Sequence, residues 1–340
     1  MAGLARHIVK ILLQRLLTFL IILTIIWGLT ELSFIITGKT PFDQLLERRE
    51  PGVFQQYLYY LDRFGYKYDE ELGRPVYKDP IYIRYFKFLK SVFTFDFGPS
   101  ARHGLRPVSE VILERLPWTI SLVGSAFIFG SMIGLALGTY LARKRGTLLD
   151  ISMTWLIVGI RALPVFWLGL LLLYLFSSSR GWFPWGLETG VTRAPDIGSH
   201  MVAWFWMSIL PMLTLSKIYA VQYLLVVRNM TTEEMTQDYV VTLRAAGLPE
   251  DSIFNRYIFR AVAPSIITLM AIDLGFVFGG AVVTETIFHY PGVGSLLYDA
   301  MKANDQPLII GGFTIITLAV LIAITIAEML YSYLDPRIRR

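Results

Sequence analysis

Apolar residues in this chain gather in blocks, and the blocks are long. The first runs over 8–36, and five more follow at 117–142, 151–177, 201–227, 262–284 and 308–334. A helix needs about 20 mostly apolar residues to cross a bilayer, and each block supplies them. The pattern predicts an all-α polytopic membrane protein with six spans. The first block is longer than the roughly 7–15 apolar residues of a secretory signal, and no Ala-x-Ala site follows it. It reads as a retained helix. Pro117 suits the first turn of the second span, where its missing N–H costs nothing.

The polar intervals are unequal. Residues 37–116 form a long segment of mixed charge with many aromatics, as in Tyr57-Leu-Tyr-Tyr60 and Tyr82-Ile-Arg-Tyr-Phe-Lys-Phe88. That is too much aromatic content for a disordered linker, so the segment is expected to fold as a small domain or cap. Three basic clusters mark the other side: Arg6, Lys10 and Arg15; Arg143-Lys-Arg145; and Arg337-Ile-Arg-Arg340. With six spans all three fall on one face, which the positive-inside rule makes cytoplasmic. Both termini and the connection 228–261 are then inside, and 37–116 is outside. Trp118, Trp182, Trp185, Trp204 and Trp206 lie near span ends, as aromatic belts do.

Composition agrees with the blocks: 54% of residues are apolar and 17% charged, against roughly 45–50% and 25% in soluble domains. The net charge of +5 is accounted for by topology and does not point to nucleic acid. There are no cysteines, and His7, His103, His200 and His289 are scattered, so disulfides and a metal site are not expected. In the second span Gly130, Gly134 and Gly138 fall four apart on one helical face. Small residues let helix backbones approach closely in lipid, so the face is read as helix packing, with substrate lining as the alternative.

The connection after the fourth span is the most informative stretch. Tyr239 to Ala246 form a helical run, and Gly247 stops it. Leu248-Pro249-Glu250-Asp251-Ser252 restarts a second helix, with Glu250 and Asp251 at the positive end of its dipole. Two short helices therefore meet at a glycine elbow. On periodicity alone an amphipathic loop lying on the bilayer competes evenly with a partner-binding device.

The order of residues decides between them. The segment resembles the cytoplasmic coupling loop of binding-protein-dependent ABC permeases, although Val241-Thr-Leu243 stands where many members have Glu-Ala-Ala. Asp238-Tyr-Val-Val-Thr-Leu-Arg-Ala-Ala-Gly-Leu248 is similar to the dipeptide/oligopeptide branch. Phe97-Gly98 through Pro107-Val108, Arg115-Leu-Pro117, Arg145-Gly-Thr-Leu-Leu-Asp150, Leu163-Pro-Val-Phe-Trp-Leu-Gly169, Gly279-Gly-Ala-Val-Val-Thr-Glu-Thr-Ile-Phe288, Pro291-Gly-Val-Gly294 and Leu334-Asp-Pro-Arg-Ile-Arg339 resemble that branch in order. The resemblance implies the type I ABC importer permease fold, a heterodimer with a second homologous permease subunit, two ABC ATPase subunits and an extracellular solute-binding protein. It assigns the coupling to Asp238, Tyr239, Thr242, Arg244, Ala245, Ala246, Gly247, Leu248 and Pro249. It implies peptides as solute, with oligosaccharides or nickel as alternatives. The chain divides into 1–36, 37–116, and a five-helix core 117–340.

A chain that hydrolyses ATP needs a phosphate loop. The nearest approach, Ser33-Phe-Ile-Ile-Thr-Gly38-Lys39-Thr40, lacks the first glycine. The chain is therefore expected to be non-catalytic and to bind no cofactor, with ATP and Mg used by partner subunits. A secondary carrier or channel would show a polar relay within the spans, and a membrane enzyme a cluster of reactive side chains. Neither is apparent, nor are cofactor ligands of a respiratory-type subunit. The ionisable residues near or within spans are Glu31, Arg161, Lys217, Asp273, Glu285 and Glu328. Arg161 and Asp273 share a depth and are expected to pair. Arg161, Pro164, Phe166, Asp273, Glu285 and Phe288 are the candidates for a translocation path.

Overall fold

The computed structural model describes residues 2–47, 52–184, 197–276 and 281–334. Trp185, Gly279-Gly280 and the C-terminal basic cluster lie outside the described residues. The first apolar block is one helix, α1 (Ala2–Thr37). One face carries exposed Leu13, Leu17, Ile21, Ile25, Leu29, Leu32 and Ile36, the surface expected of a helix in lipid. The opposite face buries Phe19 and Leu23.

The described residues between 38 and 107 form a folded unit. A short 3₁₀ turn (Asp43–Glu47) precedes α2 (Val53–Phe64), an antiparallel hairpin of β1 (Tyr66–Asp69) and β2 (Arg74–Tyr77), and α3 (Ile81–Phe93). Tyr66 pairs with Tyr77 and Asp69 with Arg74. Phe34, Phe42, Leu45, Val53, Tyr57, Leu61 and Tyr66 make its own core, as the aromatic content predicts. It is fastened to α1 by a buried ion pair. Arg84 donates to Glu31 through Nε at 3.1 Å and Nη2 at 2.8 Å, Tyr66 donates its hydroxyl to the same carboxylate at 3.0 Å, and the guanidinium lies 3.8 Å from the Tyr77 ring centre. Removing one partner of such a pair costs about 3–5 kcal/mol, because the other charge is left buried.

The second span, α4 (Val108–Arg143), begins nine residues earlier than its expected start at 117. Pro107 precedes the helix and Pro117 lies inside it. The division at 116/117 thus cuts a continuous helix: Val108, Val111 and Ile112 are buried against α1 and the later helices, and this packing outweighs the lost hydrogen bond at Pro117. α4 lies along α7 (Ile197–Glu234). The glycine face makes the contact. A Cβ added at Gly130, Gly134 or Gly138 would fall 2.4 Å from Ser216 O, 2.7 Å from Ala220 O or 2.7 Å from Leu224 O.

The third span is broken. α5 (Leu148–Ala162) and α6 (Val165–Leu172, continued by a π-helical turn Leu173–Ser178) meet at 95°. Leu163 is extended, as a residue before proline must be, and Lys217 of α7 donates to the Leu163 carbonyl that the break releases. The fourth span continues past Val227 to Glu234. After α8 (Asp238–Ala245) the chain runs without interruption through α9 (Glu250–Ser252), a π-helical turn (Ile253–Ile258) and α10 (Phe259–Phe276). α11 (Ala281–Ile287), α12 (Val293–Ala303) and α13 (Gln306–Leu334) complete the chain, and α13 packs on α10 and α1. Asp305 caps α13, accepting Leu308 N–H at 3.3 Å and the Ser100 hydroxyl at 2.6 Å. Among the described residues four helices are long and apolar enough to span a membrane, or five if α5 and α6 form one span.

Candidate functional site: the elbow between α8 and α10

α8 is only eight residues long and projects most of its surface outward. Val240 is fully buried, while Asp238, Tyr239, Val241, Thr242, Arg244, Ala245 and Ala246 are exposed. Val240 packs with Ile253, Phe254 and Ile258, and Met235, Leu243 and Leu248 close the cluster. One apolar stripe thus holds α8 against the start of the next helix and leaves the rest of it free for contact.

Its end is built by local chemistry. Gly247 has φ +76°, the left-handed conformation in which an L side chain costs about 1–2 kcal/mol. Gly247 N–H donates to Arg244 O at 2.9 Å and Leu248 N–H to Leu243 O at 3.2 Å, the paired bonds of a Schellman ending, with Leu243 and Leu248 as its apolar contact. A Cβ at Gly247 would meet nothing within 4 Å, so conformation rather than crowding selects glycine. Arg244, in the last turn of α8, grips Glu250, in the first turn of α9, with Nε–Oε1 2.7 Å and Nη2–Oε2 3.3 Å. Each charge also complements its helix dipole, and the Arg244 hydrogen bond holds the Glu250 carboxyl below its ordinary pKa. Pro249 caps this second helix from just outside it.

The second helix of the elbow is not a separate short element. It is the beginning of the long helix that enters the fifth apolar block: α9, the π-helical turn and α10 follow one another without a break from Glu250 to Phe276. Ile253, Phe254, Ile258, Val262 and Ile266 are buried in succession, and this continuous apolar stripe carries the helix past Arg256 and Arg260. Asp273 therefore sits on the same unbroken helix that begins at the elbow.

The candidate path residues fall in different places. Arg161, Pro164 and Phe166 are exposed around the α5–α6 bend. The expected Arg161–Asp273 pair is absent: Asp273 Oδ2 accepts from Gln222 Nε2 at 2.8 Å and from the Tyr223 hydroxyl at 2.6 Å. Depth alone had suggested the pair, and α7 supplies nearer donors. Phe288 is buried against Gly169 of α6. Glu285 is fully buried. It accepts the Thr119 hydroxyl of α4 at 2.8 Å and Ser295 N–H at 3.0 Å, while Thr119 in turn accepts Val293 N–H at 2.8 Å. The turn 290–294 wraps this carboxylate so closely that a Cβ on Gly292 would fall 2.2 Å from it. Glu285 and Phe288 thus face the interior of the chain. Lys217 at the bend and Arg84 on Glu31 were not singled out for these roles from sequence, because their partners lie 54 and 53 positions away.

Broken and unbroken spans around a glycine-packed α4–α7 pair, with a short exposed helix joined by a glycine elbow to α9 and α10, define an integral membrane protein. Residues 130–340 match the family described as binding-protein-dependent transport system inner membrane component. The chain is 31% identical over 319 residues to the oligopeptide transport system permease protein AppB of Bacillus subtilis, covering 92% of this chain and 95% of that protein. It is 30% identical over 286 residues to the dipeptide transport system permease protein DppB of Alkalihalophilus pseudofirmus (80% and 84% covered) and 31% identical over 261 residues to the glutathione transport system permease protein GsiC of Salmonella paratyphi A (76% and 80%). The chain belongs to the binding-protein-dependent permease family and is a transmembrane permease subunit of an ABC importer.

Proposed function

We propose that this chain forms half of a heterodimeric permease that admits di- or oligopeptides delivered by an extracellular binding protein. Two ABC ATPase subunits bind and hydrolyse ATP with Mg, and this chain carries no catalytic step. Both termini and α8 lie on the cytoplasmic side, and residues 38–107 lie outside, where they dock the binding protein. The observation that carries the reading is the union of an exposed eight-residue helix, a left-handed glycine and an unbroken rod into the membrane. Asp238, Tyr239, Thr242, Arg244, Ala245, Ala246, Gly247, Leu248 and Pro249 form the surface that the ATPases grip. The names of the similar proteins support a peptide solute.

ATP draws the ATPases together and shifts α8. The elbow transfers that shift to α9 and α10, and the bundle opens outward to receive solute. Arg161, Pro164 and Phe166 at the α5–α6 bend, with Asp273 on the rod, line the path. Glu285 and Phe288, enclosed within the chain, support it from behind. The complex, purified through a tag on this chain and placed in proteoliposomes, should retain ATPase subunits. Its ATP hydrolysis should rise when peptide-loaded binding protein is added. Solute uptake without ATP would refute the reading in favour of a carrier or channel, and stimulation by oligosaccharide or nickel but not peptide would replace the solute.

A further inference from the structure

The α4–α5 turn, residues 143–150, touches both helices that flank α8. Arg143, the last residue of α4, donates from Nη1 to Asp251 at 3.1 Å and from Nη2 to Asn255 at 2.5 Å. Its guanidinium lies 4.2 Å from the centre of the Phe254 ring. All three partners belong to α9 and the turn that continues it. Two residues on, Arg145 donates to the Thr232 carbonyl at 3.2 Å, near the end of α7. At the start of α5, Asp150 is 1% exposed and receives Arg228 of α7 in a two-point bond, Nε–Oδ1 2.6 Å and Nη2–Oδ2 2.8 Å.

The turn itself is stiff. Gly146 takes φ +76° and donates its N–H to Asp150 Oδ2 at 3.1 Å, while Thr147 caps α5 by accepting Asp150 N–H at 3.4 Å. Asp150 thus closes the turn and clamps α7 with one carboxylate. A planar guanidinium that meets two acceptors and stacks on a ring fixes direction as well as distance.

These contacts have a geometric consequence. α8 hangs between the end of α7 and the start of α9. The former is tied to the turn by Arg145 and Asp150, the latter by Arg143. Any displacement of α8 that moves either attachment pulls on a turn whose other end begins α5, the arm that bends by 95° at Pro164.

We propose that residues 143–150 are a brace that passes the movement of α8 into α4 and α5, with Arg143 and Asp150 as positioning residues for coupling. The elbow alone would drive only the fifth span, and the brace brings the bent third span into the same stroke. The proposal rests on the importer reading of α8, and its test keeps the two apart. In proteoliposomes with the assembled wild-type complex, solute taken up per ATP hydrolysed is measured first. Absence of ATP-driven uptake there would sink the importer reading itself. Asp150→Asn and Arg143→Gln are then compared with it, together with subunit retention on co-purification. The expected result is retained ATPase subunits with uptake per ATP reduced about three- to tenfold, and an intermediate ratio for Arg143→Lys, which keeps the charge but loses the fork. Wild-type stoichiometry in both Asp150→Asn and Arg143→Gln would overturn the brace. Loss of the ATPase subunits in both would overturn it too, by making these residues assembly contacts. If only the buried Asp150 variant fails to assemble, Arg143→Gln, whose side chain is 35% exposed, decides.

Discussion

Gly134→Ala sets two opposed effects against each other. In a helix interior alanine is favoured over glycine by about 0.8–1.0 kcal/mol. At Gly134, however, the new Cβ would sit 2.7 Å from Ala220 O, 2.7 Å from Tyr223 Cβ and 3.0 Å from Leu224 N. Contact between such atoms settles near 3.5 Å, so α4 and α7 must separate by about 0.8 Å. Two of the three neighbours are α7 backbone and cannot swing aside. Overpacking of this kind costs typically 1–3 kcal/mol, which outweighs the propensity gain. The gap would also loosen Gly130 and Gly138, one turn away on either side and equally tight. Gly134→Ala should therefore lower the thermal midpoint of the detergent-solubilised permease, followed by loss of the monodisperse peak on size exclusion. Gly124→Ala, in the same helix but with nothing within 4 Å of its Cβ, should leave the midpoint unchanged or raise it. Equal midpoints for the two variants would show that glycine packing does not set the α4–α7 distance.

Three further outcomes follow from the geometry. Gly247→Asn should keep ATPase stimulation near wild type, since asparagine tolerates the left-handed region, whereas Gly247→Val should lose most of it at a conformational cost of about 1–2 kcal/mol. Equal stimulation in the two, read by phosphate release, would dismiss the φ argument. Glu285→Leu should destabilise by about 1–3 kcal/mol for the buried Thr119 hydroxyl it orphans, with a smaller addition from the half-buried Ser295 N–H, and Glu285→Gln by much less. Thermal midpoints in detergent give the comparison. His103, hydrogen-bonded to Ser100 at 2.9 Å, has its pKa lowered first by burial and then by Arg115 and Arg106, against opposition from Asp305 and Asp299. The unfolded chain then binds the proton first. Stability should fall as pH drops below the ordinary histidine value of about 6.5 and through the lowered one, and His103→Asn should flatten that slope.

What the sequence made legible was local. The spans over α1, α4, α7 and α13 follow from apolar length, and the glycine face on α4 meets α7 as its spacing requires. The Schellman ending at Gly247 and the restart at Glu250 follow from residue chemistry within a few positions. The misreadings were tertiary. Pro117 looked like a helix start because a proline N–H is missing in either place, and only the burial of Val108 and Ile112 against distant helices carries α4 back to Pro107. The second elbow helix looked short because Pro249, Glu250 and Asp251 mark where it starts and say nothing of where it ends. Its buried stripe from Ile253 to Ile266 runs on past Arg256 and Arg260. The 95° break between α5 and α6 falls where Pro164 follows Leu163, and the contacts around it, Lys217 on the Leu163 carbonyl and Phe288 against Gly169, come from distant segments. Arg143 and Arg145 were read as topology markers, and Arg145 also as part of a family-like run, but nothing nearby in sequence names Asn255 or Thr232 as their partners.

The distribution of these contacts bears on how such a bundle can move and still hold together. In lipid, apolar surfaces gain little by leaving one hydrophobic surrounding for another, so close backbone approach has to supply the cohesion. α4 and α7 use it over three successive glycines, which leaves that pair no room to slide. The ionic and hydrogen-bonded attachments sit elsewhere: Arg143 and Asp150 around α8, Glu31 and Arg84 beneath the 38–107 unit, Glu285 under the 290–294 turn. Such contacts are directional and few, so each can act as a pivot where an extended packed face cannot. Packed stem and polar pivots divide the work. On the proposed coupling, a stroke entering at α8 would carry α4 and α7 together as one packed stem through the 143–150 turn and turn α5, α6 and α10 against it, and the 95° break at Pro164 is where that rotation would become an opening.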